Sequence, residues 1–409
     1  MNINFRYLFK PIFIELFAMS IECDVLVVGG GPAGSSAARA AAKKGLKTIV
    51  IDKREHIGNP ALCAEGIGEY LINYLPFEIP KDQLIWKMEG MSFWTDDIYI
   101  EKIGDFWKSY SVDRKKFDKW LSELAKNAGA KLYTNTSLVD LRIDEENNVK
   151  NAIVEQNGKA MEILPRVVVA ADGVESTVLK LLGLYNPKRG DIAEVYSWEM
   201  KNLDLIKPEL EQVFTGEFTP SGYAYIFPKG KKNANIGVGG IYPEKKIEQY
   251  FEEFLEIPHV KKQVKNAEYI VEKSKNATFN DLTDKWIYGN IVLAGDSANQ
   301  NLKPFIEGIL PSIICGDISG KISYDLFQNN GIDNENYLNL VEKVMGEHFN
   351  NSNQLLEVIN YLYSKKEKTK YLQFFGIITE LFNQEDFEKT EDLSYEELKS
   401  KILRLKDEM

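Results

Sequence analysis

A glycine-rich turn near the start of the chain has the residue types and spacing that bind a pyrophosphate. Residues 24–28 (DVLVV) form an apolar, β-rich run, followed by GGGPAG and then by an alanine-rich stretch typical of a helix. In such a unit Gly29 permits the tight turn, Gly31 lets the backbone approach the pyrophosphate, and Gly34 lets the helix pack on the strand. The positive end of the helix would then face the anion.

An acidic residue ends the next predicted strand, where a dinucleotide-binding unit requires one. The strand covers residues 48–51, and the carboxylate of Asp52 after it can accept hydrogen bonds from the hydroxyls of an adenosine ribose. A GxGxxG pattern alone could be a chance glycine turn. The order of strand, turn, helix, strand and acid nevertheless predicts a dinucleotide-binding βαβ unit, and at this point leaves both FAD and NAD open.

Two later segments place an acid and a glycine at the end of a predicted strand. VVVAADGVESTV contains Asp172-Gly173, and GNIVLAGDSANQNLKPFIEG contains Gly295-Asp296. Ligands of doubly wound sheets lie at the carboxyl ends of the strands. There Asp296 can reach the ribityl chain of FAD, and the helix predicted after Pro304 can aim its positive end at the N1–O2 edge of the flavin. These segments favour FAD over NAD.

The motifs GxGxxG, ADGxxSxV and GDSA together resemble the para-hydroxybenzoate hydroxylase-like FAD flavoprotein superfamily, over most of the first 330 residues. The resemblance implies that FAD is the cofactor and that Arg114, at the start of an amphipathic helix, lies beside the flavin phosphates. The predicted cofactor-binding residues are Gly29, Gly31, Pro32, Ala33, Gly34, Asp52, Lys53, Cys63, Ala64, Arg114, Asp172, Gly173, Gly295, Asp296, Gly308 and Ile309.

Three further segments resemble the geranylgeranyl reductase family. GNPALCAEGIG places Cys63 in a P-x-x-C-x-x-G-I frame similar to the cysteine motif of that family. YAYIFP, which begins at Tyr223, is similar to its Y-x-W-x-F-P motif, with Tyr225 where tryptophan is usual, and ILPSIICGDISGK extends the likeness. The resemblance is to the archaeal digeranylgeranylglycerophospholipid reductases, and it implies hydrogenation of isoprenoid chains in membrane lipids. The loop NLKPFIEG is more polar than the loop typical of the family.

Reduction of an isolated alkene needs a hydride from flavin N5 to one carbon and a proton to the other, in a dry apolar pocket. Cys63 could donate the proton, shape the pocket or be an ordinary buried cysteine. Tyr223, Tyr225 and Phe227 would share one face of a strand, as the wall of an isoprenoid channel or as sheet core. We predict Cys63, Tyr223 and Tyr225 as catalytic residues. Predicted substrate contacts are Phe227, Pro228 and Lys229, the last beginning a basic run that could hold a lipid phosphate or be a solvated turn.

Two other functions use a similar architecture. A flavin monooxygenase or epoxidase would attack an apolar substrate, and a prenyl-binding escort resembling Rab GDP-dissociation inhibitors would use no flavin chemistry. Residues 236–240 (IGVGG) have the wrong spacing for a second dinucleotide motif. The electron donor is therefore expected to be transiently docked NAD(P)H or a ferredoxin-like carrier.

Composition limits the class of protein and its partners. The net charge of −11 argues against nucleic-acid binding. Three cysteines without CxxC spacing and three histidines without a ligand pattern predict neither disulfides nor a metal site, in a reducing cytoplasm. The expected partner is an isoprenoid lipid, with peripheral membrane contact left open.

The pattern of elements predicts an α/β chain, α+β overall. We expect a Rossmann-type FAD-binding domain from residues 20–190 and 285–330, and an antiparallel β substrate domain at 191–284, which 85–106 could join. Residues 331–409 are predicted to be a C-terminal helical region, and 1–19 an N-terminal extension. Within the helical region the apolar run YLQFFGIITELF is either a core helix or a lid that touches lipid.

Overall fold

The computed structural model describes residues 20–365 and 367–408, so the predicted extension at 1–19 lies outside the described residues. The strands are β1 (Ser20–Val28), β2 (Thr48–Ile51), β3 (Gly66–Gly68), β4 (Leu84–Met88), β5 (Gly90–Thr95), β6 (Ile98–Ile103), β7 (Ser109–Val112), β8 (Lys131–Tyr133), β9 (Thr136–Ile143), β10 (Val149–Gln156), β11 (Lys159–Ala170), β12 (Ile192–Lys201), β13 (Leu210–Thr215), β14 (Gly222–Gly230), β15 (Asn233–Gly240), β16 (Glu268–Thr278), β17 (Ile287–Tyr288) and β18 (Ile291–Leu293). The α-helices are α1 (Pro32–Lys43), α2 (Arg114–Asn127), α3 (Thr177–Leu181), α4 (Ile247–Glu256), α5 (Pro258–Val264), α6 (Ile309–Phe327), α7 (Asn334–Ser364), α8 (Thr369–Ile378), α9 (Gln384–Glu388) and α10 (Tyr395–Asp407).

An eight-stranded sheet forms the dinucleotide-binding part of the fold, in the order β17-β18-β11-β1-β2-β8, with the β9–β10 hairpin attached to β11. The central strand β1 runs parallel to both β11 and β2. Its residues from Val25 to Val28 are buried, as expected for a parallel strand that is covered on both faces. The predicted Rossmann-type fold is confirmed.

Helices α1 and α6 cover one face of this sheet and approach each other unusually closely. A Cβ atom added to Gly316 of α6 would lie 2.3 Å from the carbonyl oxygen of Ala33, and one added to Gly320 would lie 2.3 Å from that of Ala37. Since real Cβ atoms do not come so near a carbonyl oxygen, only glycine fits on α6 at these two positions. The small residues of both helices therefore fix the distance between them.

A second sheet of seven strands has the order β16-β12-β15-β14-β13-β5-β6. Its strands are antiparallel except for β5 and β13, which run parallel to each other. The sequence predicts an antiparallel sheet, and the structure differs from that prediction in this one parallel pair. On β14 the side chains alternate, with Ala224 and Ile226 packed towards α4 and Tyr223, Tyr225 and Phe227 on the opposite face.

The C-terminal helices cover that opposite face of the second sheet. The apolar run around α8 is a buried helix, in which Leu372, Phe374 and Phe375 pack in one cluster with Tyr225 and Phe227. Within the described ranges, no helix combines the length and the apolar character needed to cross a membrane.

The close contact of α1 and α6 predicts the effect of one added methyl group. We expect Gly320→Ala to lower the free energy of unfolding by about 1–3 kcal/mol, because the methyl meets the backbone of α1 and the two helices must separate. Gly346→Ala in α7 is the matched control, since its Cβ would meet only the flexible side chain of Glu342. It should be neutral or stabilise by about 0.5–1 kcal/mol. Urea unfolding measures both, and equal effects would contradict the argument.

Candidate functional site

One cavity of about 1270 Å³ lies between the two sheets and the C-terminal helices. It reaches from the glycine turn after β1 to the aromatic face of β14 and the inner side of α8. Most of the predicted site residues line it: Gly29, Gly31, Pro32, Ala33, Asp52, Lys53, Cys63, Ala64, Arg114, Asp172, Gly173, Tyr223, Tyr225, Phe227, Asp296, Gly308 and Ile309.

The glycine turn leaves open space and free amides at one end of the cavity. Gly29 has a φ of +99°, and its Cβ would lie 2.3 Å from the carbonyl oxygen of Ala171, so that only glycine fits the turn. A Cβ at Gly31 would meet nothing within 4 Å, because that position faces the cavity. Gly31 also caps α1 without any side-chain hydrogen bond, which leaves amides of the first turn for an anion.

Asp52 ends β2 as predicted, but its carboxylate already has several partners. It accepts hydrogen bonds from the amide of Gly30 at 2.7 Å and from the guanidinium of Arg54 at 2.7 and 2.9 Å. Burial alone would raise the pKa of Asp52, yet the hydrogen bonds and charge of Arg54 outweigh burial and lower it. A ribose hydroxyl at this carboxylate would therefore share it with Arg54.

The other two predicted acids occupy different positions. Asp172 accepts hydrogen bonds from the hydroxyl of Ser176 at 2.6 Å and the amide of Val178 at 3.0 Å, and so holds the start of α3. Asp296 is partly exposed to the cavity, 3.8 Å from the ammonium of Lys275. Helix α6 begins beside it at Ile309, without a side-chain cap, and a second helix N-terminus thus faces the cavity.

The Cys63 segment is fixed by a buried ion cluster that the sequence did not reveal. The carboxylate of Glu65, only 1% exposed, accepts hydrogen bonds from the ammonium groups of Lys229 at 2.6 Å and Lys273 at 2.9 Å and from the amide group of Asn235 at 2.9 Å. Lys273 also donates to the carbonyl oxygen of Cys63. We call these three partners and Glu65 the Glu65 cluster.

The Glu65 cluster keeps its carboxylate ionised. Burial would raise the pKa of Glu65, but the charges of Lys273 and Lys229 outweigh burial and lower it to about 2. Glu65 also has a φ of +69°, a left-handed conformation that costs a non-glycine residue energy and is held here by its hydrogen bonds. The cluster therefore sets the backbone position of Cys63.

Arg114 lies on the other side of the cysteine. Its guanidinium forms two hydrogen bonds of 2.7 and 2.8 Å with the carboxylate of Asp118, and it contacts the sulfur of Cys63. The sulfur accepts a hydrogen bond from the amide of Glu65 at 3.3 Å. Cys63 is thus placed at the junction between the cofactor-binding sheet and the aromatic sheet.

Three aromatic rings form the wall on β14. The ring centroids of Tyr223 and Tyr225 are 6.1 Å apart, and those of Tyr225 and Phe227 are 4.7 Å apart. The hydroxyl of Tyr223 donates to the carbonyl oxygen of Phe305 at 2.8 Å. Burial raises the pKa of both tyrosines, which stay neutral. Gly237 on β15 leaves the room into which the Tyr225 ring extends.

Four predicted residues do not line the cavity. Gly34 packs against the carbonyl oxygen of Gly29, and Gly295 packs against Ala33, so their place is in close backbone contacts. Pro228 accepts a hydrogen bond from Ser111. Lys229 is nearly buried and paired with Glu65 and Glu199, which argues against the role of holding a lipid phosphate.

Two buried acids, Glu211 and Glu307, line the cavity without having been predicted from the sequence. Glu307 accepts hydrogen bonds from the amide of Gly68 and the hydroxyl of Tyr70, both at 2.8 Å. The partners of both residues are distant in sequence, so local patterns do not predict these acids as site residues. The one local sign was that Glu211 is an acid inside an apolar β-run.

The residues present fit FAD. The uncapped N-terminus of α1 beside the open space at Gly31 suits the pyrophosphate, and Asp52 suits the adenosine ribose. Asp296 and the N-terminus of α6 suit the ribityl chain and the polar edge of the flavin. No set of three potential metal ligands among His, Cys, Asp and Glu clusters in the described part of the chain.

The Glu65 cluster predicts a large effect of neutralising its acid. We expect Glu65→Gln to lower the free energy of unfolding by roughly 3–5 kcal/mol, because two buried ammonium groups lose their carboxylate. Glu217→Gln is the control, since its pair with Lys368 is exposed, and it should change stability by at most about 1 kcal/mol. Denaturant titrations of the three proteins measure the effects.

The difference in stability between wild type and Glu65→Gln should depend on pH in a defined direction. The pKa of Glu65 falls from 4.5 to about 2 on folding, so the stabilisation is complete above pH 4.5 and is lost as the pH falls towards 2. The stability gap between wild type and the Glu65→Gln variant should therefore shrink over that interval. A gap that stays constant would contradict an ionised Glu65.

Comparisons with known proteins identify the family and the fold. The profile of the FAD dependent oxidoreductase family matches residues 24–174, and that of the geranylgeranyl reductase catalytic domain matches residues 191–276. The chain is also similar to the crystal structure of a geranylgeranyl bacteriochlorophyll reductase-like protein from Thermoplasma acidophilum, with a TM-score of 0.70 and 25% identity, over 95% of this chain and 96% of that one. The flavin-dependent brominase Bmp2, with a TM-score of 0.68 and 18% identity over 94% of this chain and 93% of that one, shares the fold.

Curated relatives show the family. Digeranylgeranylglycerophospholipid reductase of Methanococcus aeolicus is 34% identical over 322 residues, which are 78% of this chain and 80% of that protein. The protein of the same name from Methanocaldococcus jannaschii is 36% identical over 302 residues, 73% of this chain and 76% of its own length. The resemblance inferred from the motifs is confirmed. The chain belongs to the digeranylgeranylglycerophospholipid reductase family and is an FAD-dependent oxidoreductase.

Proposed function

We propose that this protein hydrogenates the C=C bonds of geranylgeranyl chains in archaeal-type membrane lipids. The observation that carries the proposal is that one continuous cavity joins the amides of the glycine turn after β1 to an apolar, aromatic wall. An isoprenoid chain has no charge and few polar atoms, so it would bind there by burial of its apolar surface. The family supports the same substrate class.

The far end of the cavity suits a long branched hydrocarbon. Side chains from the loop before α6 and from α7 and α8 form this end: Phe305, Ile359, Tyr363, Phe374, Ile377 and Ile378. These residues exclude water from the alkene, which favours hydride transfer over side reactions. When bound, reduced FAD supplies the hydride for one carbon of the double bond.

The catalytic residues we propose are Cys63, Tyr223 and Tyr225, which would contact the alkene where the two sheets meet. The Glu65 cluster holds the backbone of Cys63. The hydrogen bond from the hydroxyl of Tyr223 to the carbonyl oxygen of Phe305 connects β14 to the loop before α6. Phe227 extends the same wall. Together these side chains would orient the double bond across the flavin.

A lipid substrate implies contact with a membrane. Phe106 lines the cavity and is 55% exposed, and the nearby Ile103 is 59% exposed. We propose that this edge of the cavity faces the membrane surface, where the protein, otherwise cytoplasmic, would take up lipid tails. Electrons would come from transiently docked NAD(P)H or from a ferredoxin-like carrier.

The first test follows the flavin without oxygen. Protein loaded with FAD is reduced with dithionite, then mixed with a digeranylgeranylated glycerophospholipid, and flavin absorbance is recorded. We expect rapid reoxidation and a mass gain of two hydrogen atoms for each double bond reduced. The fully saturated lipid is the control and should leave the flavin reduced. Indifference to the unsaturated lipid, or incorporation of an oxygen atom in a parallel incubation with air, would overturn the proposal.

A bulky residue at the apolar end of the cavity should block binding of the lipid without affecting the flavin. We expect Ile377→Trp to slow reoxidation by the lipid on the order of tenfold or more, because the indole occupies the space of the chain. The flavin spectrum and the rate of dithionite reduction should not change. Leu403→Trp on the exposed side of α10 is the control. Equal lipid kinetics in wild type and both variants would place the substrate elsewhere.

A further inference from the structure

Glu211 is an acid on the apolar, cavity-facing side of the second sheet. On β13, Phe214 packs towards α4, whereas Glu211 lines the cavity and Val213 packs with its aromatic wall. Glu211 pairs with Met91 of the parallel neighbour β5, and Phe227 of β14 lies on its other side. The carboxyl therefore belongs to the same wall as the proposed alkene contacts.

The missing side chains of two glycines make room for this acid and a second one. A Cβ at Gly66 would lie 3.1 Å from a carboxyl oxygen of Glu211, and a Cβ at Gly68 would lie 2.9 Å from one of Glu307. Both glycines are on β3, which directly follows the segment of Cys63. This strand thus brings the two acids next to the junction of the two sheets.

The surroundings of Glu211 differ from those of Glu65. Within residues 20–365 and 367–408 no Lys, Arg or His nitrogen lies within 4.0 Å of the Glu211 carboxyl, whereas Glu65 has two ammonium partners. The polar and titratable neighbours of Glu211 are Ser109, Tyr223 and Glu307. Burial, and to a smaller extent the charge of the nearby Glu307, raises the pKa of Glu211 to about 7, although Ser109 acts in the opposite direction. About half of the Glu211 side chains therefore carry a proton at pH 7, whereas a free glutamate is almost fully ionised there.

We propose that Glu211 is the acid that protonates the alkene, an inference that rests on the proposed function. The hydride and its electron pair go to one carbon of the double bond, and the proton of the Glu211 carboxyl goes to the other carbon. Two C–H bonds form, while the π bond, the O–H bond and the bond that held the hydride in reduced FAD would break. FAD, when bound, would be the reductant and is left oxidised, and Glu211 is left as a carboxylate. A proton from solvent restores the acid before the next reduction.

The place of Cys63 agrees with this division of roles. Its sulfur accepts a hydrogen bond from the amide of Glu65 and contacts the guanidinium of Arg114, so hydrogen-bond donors surround it. Cys63 then shapes the site, and Glu211 supplies the proton.

The first experiment measures the proton on Glu211 without turnover. Infrared difference spectra between wild type and Glu211→Gln, both loaded with FAD, should show the C=O stretch of a neutral carboxylic acid. That band should disappear as the pH rises through about 7. A carboxylate signal already present well below pH 7 would overturn the proposal.

The second experiment measures single-turnover reoxidation by the unsaturated lipid. We expect Glu211→Gln to slow it on the order of 100-fold or more, with FAD content and dithionite reduction unchanged. In wild type the rate should fall above pH 7. Burial also lowers the pKa of Lys303 to about 7, so Lys303 could cause the same pH dependence. Lys303→Met is therefore the control, and its rate should still fall above pH 7.

The outcomes separate the two proposals. Wild type that ignores the lipid refutes the proposed function itself, whereas an active wild type with an equally active Glu211→Gln variant refutes only the role of Glu211. If the glutamine variant fails to retain FAD, Glu211→Asp, which keeps the carboxyl, replaces it. That variant should keep measurable reoxidation, but the pH above which its rate falls should differ from that of wild type. A rate that falls at the wild-type pH would overturn the proposal.

Discussion

The close packing of α1 on α6 is the constraint on which the site depends. Gly316 and Gly320 bring α6 against the backbone of α1, and the N-termini of both helices then face one cavity. A single helix N-terminus can hold a phosphate, but two at a fixed distance can hold both the pyrophosphate and the polar edge of a flavin. Larger residues on α6 would move these ends apart, so the spacing of the two helix N-termini is set by Gly316 and Gly320, which do not line the cavity.

Burial has opposite consequences for the acids around the cavity. Two ammonium groups overcome the cost of burying the charge of Glu65, and its pKa falls. Neither Glu211 nor Glu307 has an ammonium partner within 4.0 Å in the described part of the chain, and burial raises the pKa of each. One fold thus contains a fixed ionic cluster that holds the backbone of Cys63 and, across β3, two buried carboxyls that bind their protons more tightly than a free glutamate does. The difference comes from the lysines. Lys229 of β14 and Lys273 of β16 reach Glu65, whereas among the described residues no ammonium lies within 4.0 Å of Glu211 or Glu307.

Local patterns in the sequence were enough for the fold, the cofactor and the family. The glycine turn of β1 and α1 is encoded within a few residues, and the alternation of Tyr223 and Tyr225 is a property of one strand. The Glu65 cluster could not be predicted this way, because Lys273 is 208 positions from Glu65. The parallel pairing of β5 with β13 is equally non-local. The catalytic and cofactor roles of individual residues remain predictions, although most of these residues line one cavity.

The polar loop before α6, which departs from the family pattern, is compatible with an apolar cavity. The ammonium of Lys303 donates to the side-chain oxygens of Asn299 and Asn301, so its polarity is satisfied within the loop. Glu307 is satisfied by partners on and beside β3. The loop also contributes Phe305 to the cavity wall, where its ring packs against Tyr223. Because these polar groups all have hydrogen-bond partners within the loop or on and beside β3, the loop can differ in composition and still present a hydrocarbon surface to the substrate.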